Sequence, residues 1–182
     1  MAAIERLWFS TVIEAVFLKG LGDRITPALK ANIKKAGIDL DKLKPAYPVE
    51  EVLAACRLVM PVLFPGKSEE EALHELGIIS MRGYTETLLG KALIGIMKVI
   101  GVRRSLLRMH TSMRSGNNYL ETFSTVIASN CIELRFSDVS GMAPFYQGII
   151  EQGGQMAHAK NLRVTSVVTT PPGHAFKVEW DE

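Results

Sequence analysis

Cysteine is scarce in this 182-residue chain: Cys56 and Cys131 stand 75 positions apart, with no C-x-x-C spacing. That excludes a disulfide framework and a zinc cluster. Both lie in apolar surroundings, where a free cysteine behaves as a small hydrophobe. Charge of one sign is also lacking. A formal net charge of +2 is too small to argue for nucleic acid or an anionic membrane as partner. No apolar run is long enough to span a bilayer, because the longest weakly charged stretch, Leu88 to Gly101, is interrupted by Lys91 and Lys98. Glu5 and Arg6 precede the first apolar run and no small-residue cleavage site follows, so no secretory signal is expected. There is no internal repeat, no low-complexity stretch and no composition break that marks a domain boundary. The expectation is one cytoplasmic domain over residues 1–182, able to bury roughly 70% of its unfolded surface.

Catalytic patterns are equally absent. The sequence has no G-x-S-x-G, no G-x-x-x-x-G-K-[ST], no G-x-G-x-x-G and no H-E-x-x-H. Gly90-Lys91 lacks both the upstream glycine and the following hydroxyl of a phosphate loop. His74, His110, His158 and His174 share no ligand spacing. Cys56 falls on an apolar helix face, where a thiolate is disfavoured. Asp39 and Asp41 offer too few oxygens for a calcium loop and read as a solvated linker. The chain is therefore expected to be no enzyme, with no catalytic residue, no metal ligand and no cofactor assigned.

What the sequence does contain is pattern. Cys131 to Phe136, Leu162 to Val168 and Ala175 to Asp181 alternate apolar with polar residues, the signature of half-buried strands. Between them Pro144 opens a helix running to about His158. Gly148, Gly153 and Gly154 lie inside it, at about 1 kcal/mol each relative to alanine, where a neighbouring backbone must come close. Pro171-Pro172-Gly173 connects the last two strands. The fold class is α+β: a helical region over about 1–113 packed on a four-stranded antiparallel sheet in ββαββ order over about 118–182.

Upstream, Ile13, Val16, Phe17 and Leu21 share a helical face. Trp8 and Phe9 either pair as a short edge strand or pack as a plug, and the sequence leaves both open. Thr26, Pro27 and Gly37 read as N-cap, first turn and C-terminal cap of a second helix. A third runs from Pro48 to Leu63, with Pro61 expected to kink its end. Ser68 and Glu71 form a capping box for a fourth. Its apolar face extends past Tyr84 to Ile100, too far for an ordinary helix, so a bend is expected near Gly90 and an end at Gly101. Val102 to Met113 reads as a short basic helix, and Ser115-Gly116-Asn117-Asn118 as the turn into the sheet.

Two places invite a ligand. The stretch from Arg103 to Arg114, leading into Asn118, could hold an anion, since Arg donates in a fixed bidentate fork; the plainer reading is a solvated helix face and a turn. The apolar space between the fourth helix and the sheet, with Tyr84, Thr87, Met97, Phe123, Tyr146 and Met156 around it, could take a small molecule. The plainer reading of these residues is core.

The runs Leu76 to Lys91, Met113 to Tyr119, Pro45 to Val49, Phe145 to Ile149 and Phe176 to Trp180 resemble a paralogous family of about 200-residue proteins of unknown function expanded in myxobacteria. More distantly, helices followed by strand–strand–helix–strand–strand resemble the 4-vinyl-reductase domain, the haem–nitric-oxide-binding sensor fold and the small subunits of a vesicle-tethering transport particle. The haem relatives' Tyr-x-Ser-x-Arg pattern is missing, since Tyr84 precedes Thr85-Glu86-Thr87 and Tyr119 precedes Leu120-Glu121-Thr122. The resemblance implies a non-enzymatic ligand-sensing or signalling module binding a small or apolar molecule. It would work as a homodimer through a helical face or with a signalling protein partner. The alternative is a scaffold domain with a filled core; an enzyme ranks third.

Overall fold

The chain opens with β1 (Leu7–Phe9), which runs into α1 (Ser10–Ile13) and a π-helical continuation over Glu14–Leu21. A 3-10 turn (Gly22–Arg24), α2 (Pro27–Lys35), β2 (Ala46–Pro48), α3 (Val49–Leu63), α4 (Glu69–Tyr84), α5 (Leu88–Leu107) and α6 (Met109–Arg114) follow. The C-terminal unit is β3 (Thr122–Ala128), β4 (Cys131–Phe136), α7 (Ala143–Met156), β5 (Lys160–Val167) and β6 (His174–Asp181). This computed structural model describes residues 5–167, 169–170 and 173–181. Val168, Pro171 and Pro172, which the sequence places in and after the third strand of the C-terminal unit, lie outside them.

The fold is α+β, and its four-stranded sheet is antiparallel throughout, in the order β3-β4-β6-β5. The alternation decides which face is packed. Ile132, Leu134 and Phe136 are buried, as are Phe176, Val178 and Trp180 across the register Ile132↔Val178 and Leu134↔Phe176. Each such side chain contributes about 1.5–3 kcal/mol when fully buried. Glu133, Arg135, Lys177 and Glu179 point the other way and pair on the surface.

Capping follows the local chemistry. The Thr26 hydroxyl accepts from the Leu29 amide at 3.3 Å, and Ser68 and Glu71 exchange both bonds of a capping box. Gly37 takes φ 108° just beyond α2. Asp39 and Asp41 pair with Lys34 and Lys30. Trp8 and Phe9 do form a strand: β1 pairs antiparallel with β2, a strand the sequence reading did not contain. Tyr47 hides β2 from a short-range pattern, because three residues carry no periodicity. Trp8 is also plugged into the core at 2% exposure, with its Nε1 donating to the Tyr119 hydroxyl at 2.9 Å.

The long apolar helix breaks three residues before the expected point. The break falls at Thr85–Thr87, where the Thr87 hydroxyl donates to the Tyr84 carbonyl and accepts from the Gly90 amide. Gly90 itself sits in the first turn of α5, against the Tyr84 backbone. Gly101 takes non-helical φ 78° and ψ 174°, so α5 is two helical segments that meet at a kink there, where the sequence places the end of the first. The expected helix over Val102 to Met113 is likewise divided, at Arg108. α3 continues past Pro61 to Leu63.

The glycines of α7 explain how tightly the layers close. A Cβ at Gly77 of α4 would collide with the Phe145 carbonyl of α7, and one at Gly148 of α7 with the His74 carbonyl of α4. The two helices therefore meet backbone to backbone.

Candidate functional site

Three elements radiate from that contact. Phe145 and Tyr146, one turn into α7, stack in a tilted and edge-on layer with Trp8, Phe136 and Phe176, at centroid separations of 5.4 to 5.7 Å. This layer packs between α7 and the sheet, and Trp8, Phe145 and Tyr146 of it turn one side to a cavity among the helices. The cavity measures about 510 Å³, opens partly to solvent, and is lined by no residue of the four-stranded sheet, so it is not the expected space between helices and sheet.

Its walls are helical. α4 supplies Ser80, Met81 and Tyr84; α5 supplies Leu93, Ile96, Met97 and Ile100; α7 supplies Tyr146, Ile149 and Gly153. Trp8, Val12 and Ala15 also line it, as do Met109 and Met113 of α6. Gly153 leaves a shallow floor: a Cβ there would meet only the Met81 and Met97 methyl groups, at 3.6 and 3.7 Å. Thioether side chains make such walls adaptable, since Met repacks through three rotatable bonds. Thus a helix position without a side chain, faced by two flexible ones, creates the space.

Several polar groups at the margin already have partners. Asn117, 6% exposed, accepts from the Leu120 amide at 2.8 Å and donates to the Met113 carbonyl at 3.2 Å. The Ser105 hydroxyl donates to the Gly101 carbonyl. The Tyr146 phenol lies beside Tyr119, and burial together with that neighbour pushes its pKa well above the usual tyrosine range. Tyr119 also accepts from Trp8 and Ser140, and Arg6 covers its ring at 5.7 Å. Arg6 in turn clamps Asp138 and Glu50, each at 2.7 Å. A continuous polar chain thus runs from the cavity wall at Tyr146 to the surface at Glu50.

Of the eight residues singled out from sequence, the structure brings Tyr84, Met97 and Tyr146 together on the cavity wall. Thr87 is the α5 cap. Asn118 ties the turn to β1, accepting from the Leu7 amide and donating to the Glu5 carbonyl. Arg114 is exposed at the end of α6. Phe123 is 58% exposed on the edge strand β3, and Met156 is half-buried at the end of α7. Neither lines the cavity. Sequence reasoning missed Trp8, Met81, Ile149 and Gly153 as cavity residues, although the unexplained glycine at 153 was the available signal. Among the described residues no group of three His, Cys, Asp or Glu could hold a metal ion.

With that geometry in place, the relatives can be compared. The family model described as a protein of unknown function, DUF2378, matches residues 6–181. The chain belongs to that family. No curated protein matches the sequence. Among solved structures the chain is similar to a doubly substituted Tt H-NOX, with TM-score 0.74 at 14% identity over 96% of this chain and 95% of the other. It is similar to an H-NOX protein from S. oneidensis in the Fe(II)NO ligation state, with TM-score 0.74 at 11% identity over 94% and 99%. A variant of T. Tengcongensis H-NOX gives TM-score 0.64 at 15% identity over 95% and 94%. The DUF2378 chain therefore has an H-NOX-like fold.

Proposed function

We propose that this chain is a non-enzymatic sensing module that takes a small apolar molecule into the cavity between α4, α5 and α7. The observation that carries the reading is the cavity itself: about 510 Å³, within the range of small-molecule sites, which are mostly apolar with a few placed polar groups. The filled-core scaffold reading is disfavoured by the same volume. Two free, buried thiols suit a reducing compartment, and the cytoplasm is the proposed setting.

H-NOX structures have served to probe haem distortion, so haem is the group the fold brings to mind. The residues present do not fit it. A proximal imidazole or thiolate is the usual iron ligand, yet no cysteine lines the cavity and its one histidine, His110, lies exposed with Nε2 against the Thr111 hydroxyl. Tyr146 is held as a neutral phenol. Two carboxylates on the ligand would find one guanidinium, Arg108. The chemistry of the wall suits an uncharged apolar occupant.

A neutral fluorescent probe, N-phenyl-1-naphthylamine, tests this. The wild-type chain should bind one probe per molecule, and Gly153→Leu, which projects a side chain into the cavity, should weaken binding at least tenfold with the circular dichroism unchanged. At a hundredfold excess over Kd, a bound ligand adds about 2.7 kcal/mol of stability. Freshly purified protein with no bound molecule in native mass spectrometry, together with no probe binding and no shift of Tm by any apolar compound, would overturn the reading.

A further inference from the structure

The modest net charge conceals a segregated one. Between Glu86 and Glu121 the sequence has no carboxylate, while Lys91, Lys98, Arg103, Arg104, Arg108 and Arg114 supply six cations. Without them the chain would be net acidic. All six are exposed along α5, α6 and the Arg108 junction between them, and none forms an ion pair among the described residues.

The first part of α5 carries a second anomaly. Its inner side, with Leu93, Met97 and Ile100, walls the cavity. Its outer side is also apolar. Leu88, Ala92, Gly95 and Val99 recur at i, i+4, i+7 and i+11, so they form one crest. Leu88 is 91% and Val99 86% exposed, with Leu89 and Ile96 half-exposed beside them. Lys91 and Lys98 border the opposite edge of that crest, seven residues apart. An apolar strip bordered by lysines and continued by four arginines has the make-up of a helix that lies in a membrane interface.

We infer that the α5–α6 face docks peripherally on an anionic phospholipid bilayer, with Leu88 and Val99 entering the interface and the six cations facing lipid phosphates. A bilayer span is not involved, since no helix among the described residues is long and apolar enough to cross a membrane. A second copy of this chain fits the face poorly. A twofold contact presents the same patch to itself, setting six unpaired cations against six. Nucleic acid would satisfy the cations and leave the Leu88–Val99 crest without a partner. Docking requires nothing of the cavity, although it places the bilayer one helix away from it.

Flotation with vesicles tests the inference. The full chain should float with phosphatidylcholine vesicles containing phosphatidylglycerol and stay behind with phosphatidylcholine alone, and added salt should release it. At about the affinity supplied by each surface cation, Lys91→Ala with Lys98→Ala should lower the partition roughly twenty- to thirtyfold. Val99→Glu, at an exposed site that leaves Tm unchanged, should abolish flotation, whereas the cavity variant Gly153→Leu should float like wild type. The inference fails if the chain ignores anionic vesicles, if Val99→Glu floats normally, or if an acidic polypeptide such as polyglutamate captures the chain and vesicles do not.

Discussion

Replacing Gly77 by alanine isolates the contact on which the whole arrangement rests. An alanine Cβ at that position would lie 2.9 Å from the Phe145 carbonyl carbon and closer still to its oxygen. Ordinary carbon contacts begin at about 3.5 Å, and the opposing atoms are backbone, which cannot rotate away. The oxygen is the nearest atom, so the helices must separate by roughly 1 Å or more along a line that Gly148 holds from the other side, against His74. Overpacking of this kind costs about 1–3 kcal/mol, and the loosened neighbours include the Trp8–Phe145 ring contact. Alanine's better helix propensity returns about 1 kcal/mol. We expect a net loss of roughly 2 kcal/mol at Gly77, where collision with rigid backbone puts the overpacking cost at or above the top of its usual range.

Gly153→Ala supplies the control. It has the same propensity gain, but its Cβ meets only the mobile Met81 and Met97 methyls at ordinary distance, so it should stabilise by about 1 kcal/mol. For a chain of this size each kcal/mol moves Tm by about 2–4 °C. Calorimetry should thus show Gly77→Ala melting roughly 4–8 °C lower and Gly153→Ala roughly 2–4 °C higher than wild type. Urea titration should move the midpoint with little change in m. A Gly77→Ala protein as stable as wild type, or two variants shifting in the same direction, would refute the backbone-to-backbone contact.

Other outcomes follow from single interactions. Ser68→Ala removes one half of the capping box and should cost about 1 kcal/mol, read as a lower urea midpoint. Burial pushes the Cys56 thiol up to about 12, so it should resist a disulfide reagent at pH 8 until denaturant is added; modification at the rate of a free thiol would contradict the core position. The Ser68 amide and hydroxyl lower the pKa of Glu71, and Lys67 lowers that of Glu75. Groups with depressed folded values give stability that is complete above the unfolded value, near 4.3, and disappears as pH falls through the folded one. Urea midpoints should therefore hold steady above about pH 5 and decline towards pH 3, with the decline blunted in Glu71→Gln with Glu75→Gln.

The sheet and the cap positions were legible in the sequence because their causes are local. Period-2 alternation at Ile132, Leu134 and Phe136 needs no knowledge of the rest of the chain, and neither does a hydroxyl three residues before Glu71. β2 and the break at Thr85–Thr87 were not legible in the same way. Ala46–Pro48 becomes a strand only because β1 arrives beside it, and Thr87 caps α5 through its own hydroxyl, a role that a helical apolar face spanning Tyr84 to Ile100 disguises. The site falls between these cases. Tyr84, Met97 and Tyr146 stand together on one wall, but Phe123 turned outward on an edge strand, because the residues that alternate with it, Thr122 and Ser124, face inward. Periodicity marks which residues avoid water; it does not say on which side of a helix the packing will fail to close.

That failure has a physical cost, which bears on what fills the space. A void in a protein core costs about 24 cal/mol per Å³. Left dry, the volume of about 510 Å³ would approach ~12 kcal/mol, comparable with the whole stability of a typical domain, about 5–15 kcal/mol. A dry void of that size is therefore disfavoured. Water can enter from the open side, but walls such as Leu93, Ile149 and Met81 give it few of the 2–4 polar partners an ordered water needs. An apolar occupant removes both penalties at once, which makes the thermal shift with a neutral hydrophobic compound the most informative measurement on this cavity. Filling by protein alone predicts the opposite response: a side chain grown from Gly153 would then raise Tm as far as any ligand does, and ligand added to Gly153→Leu would raise it no further.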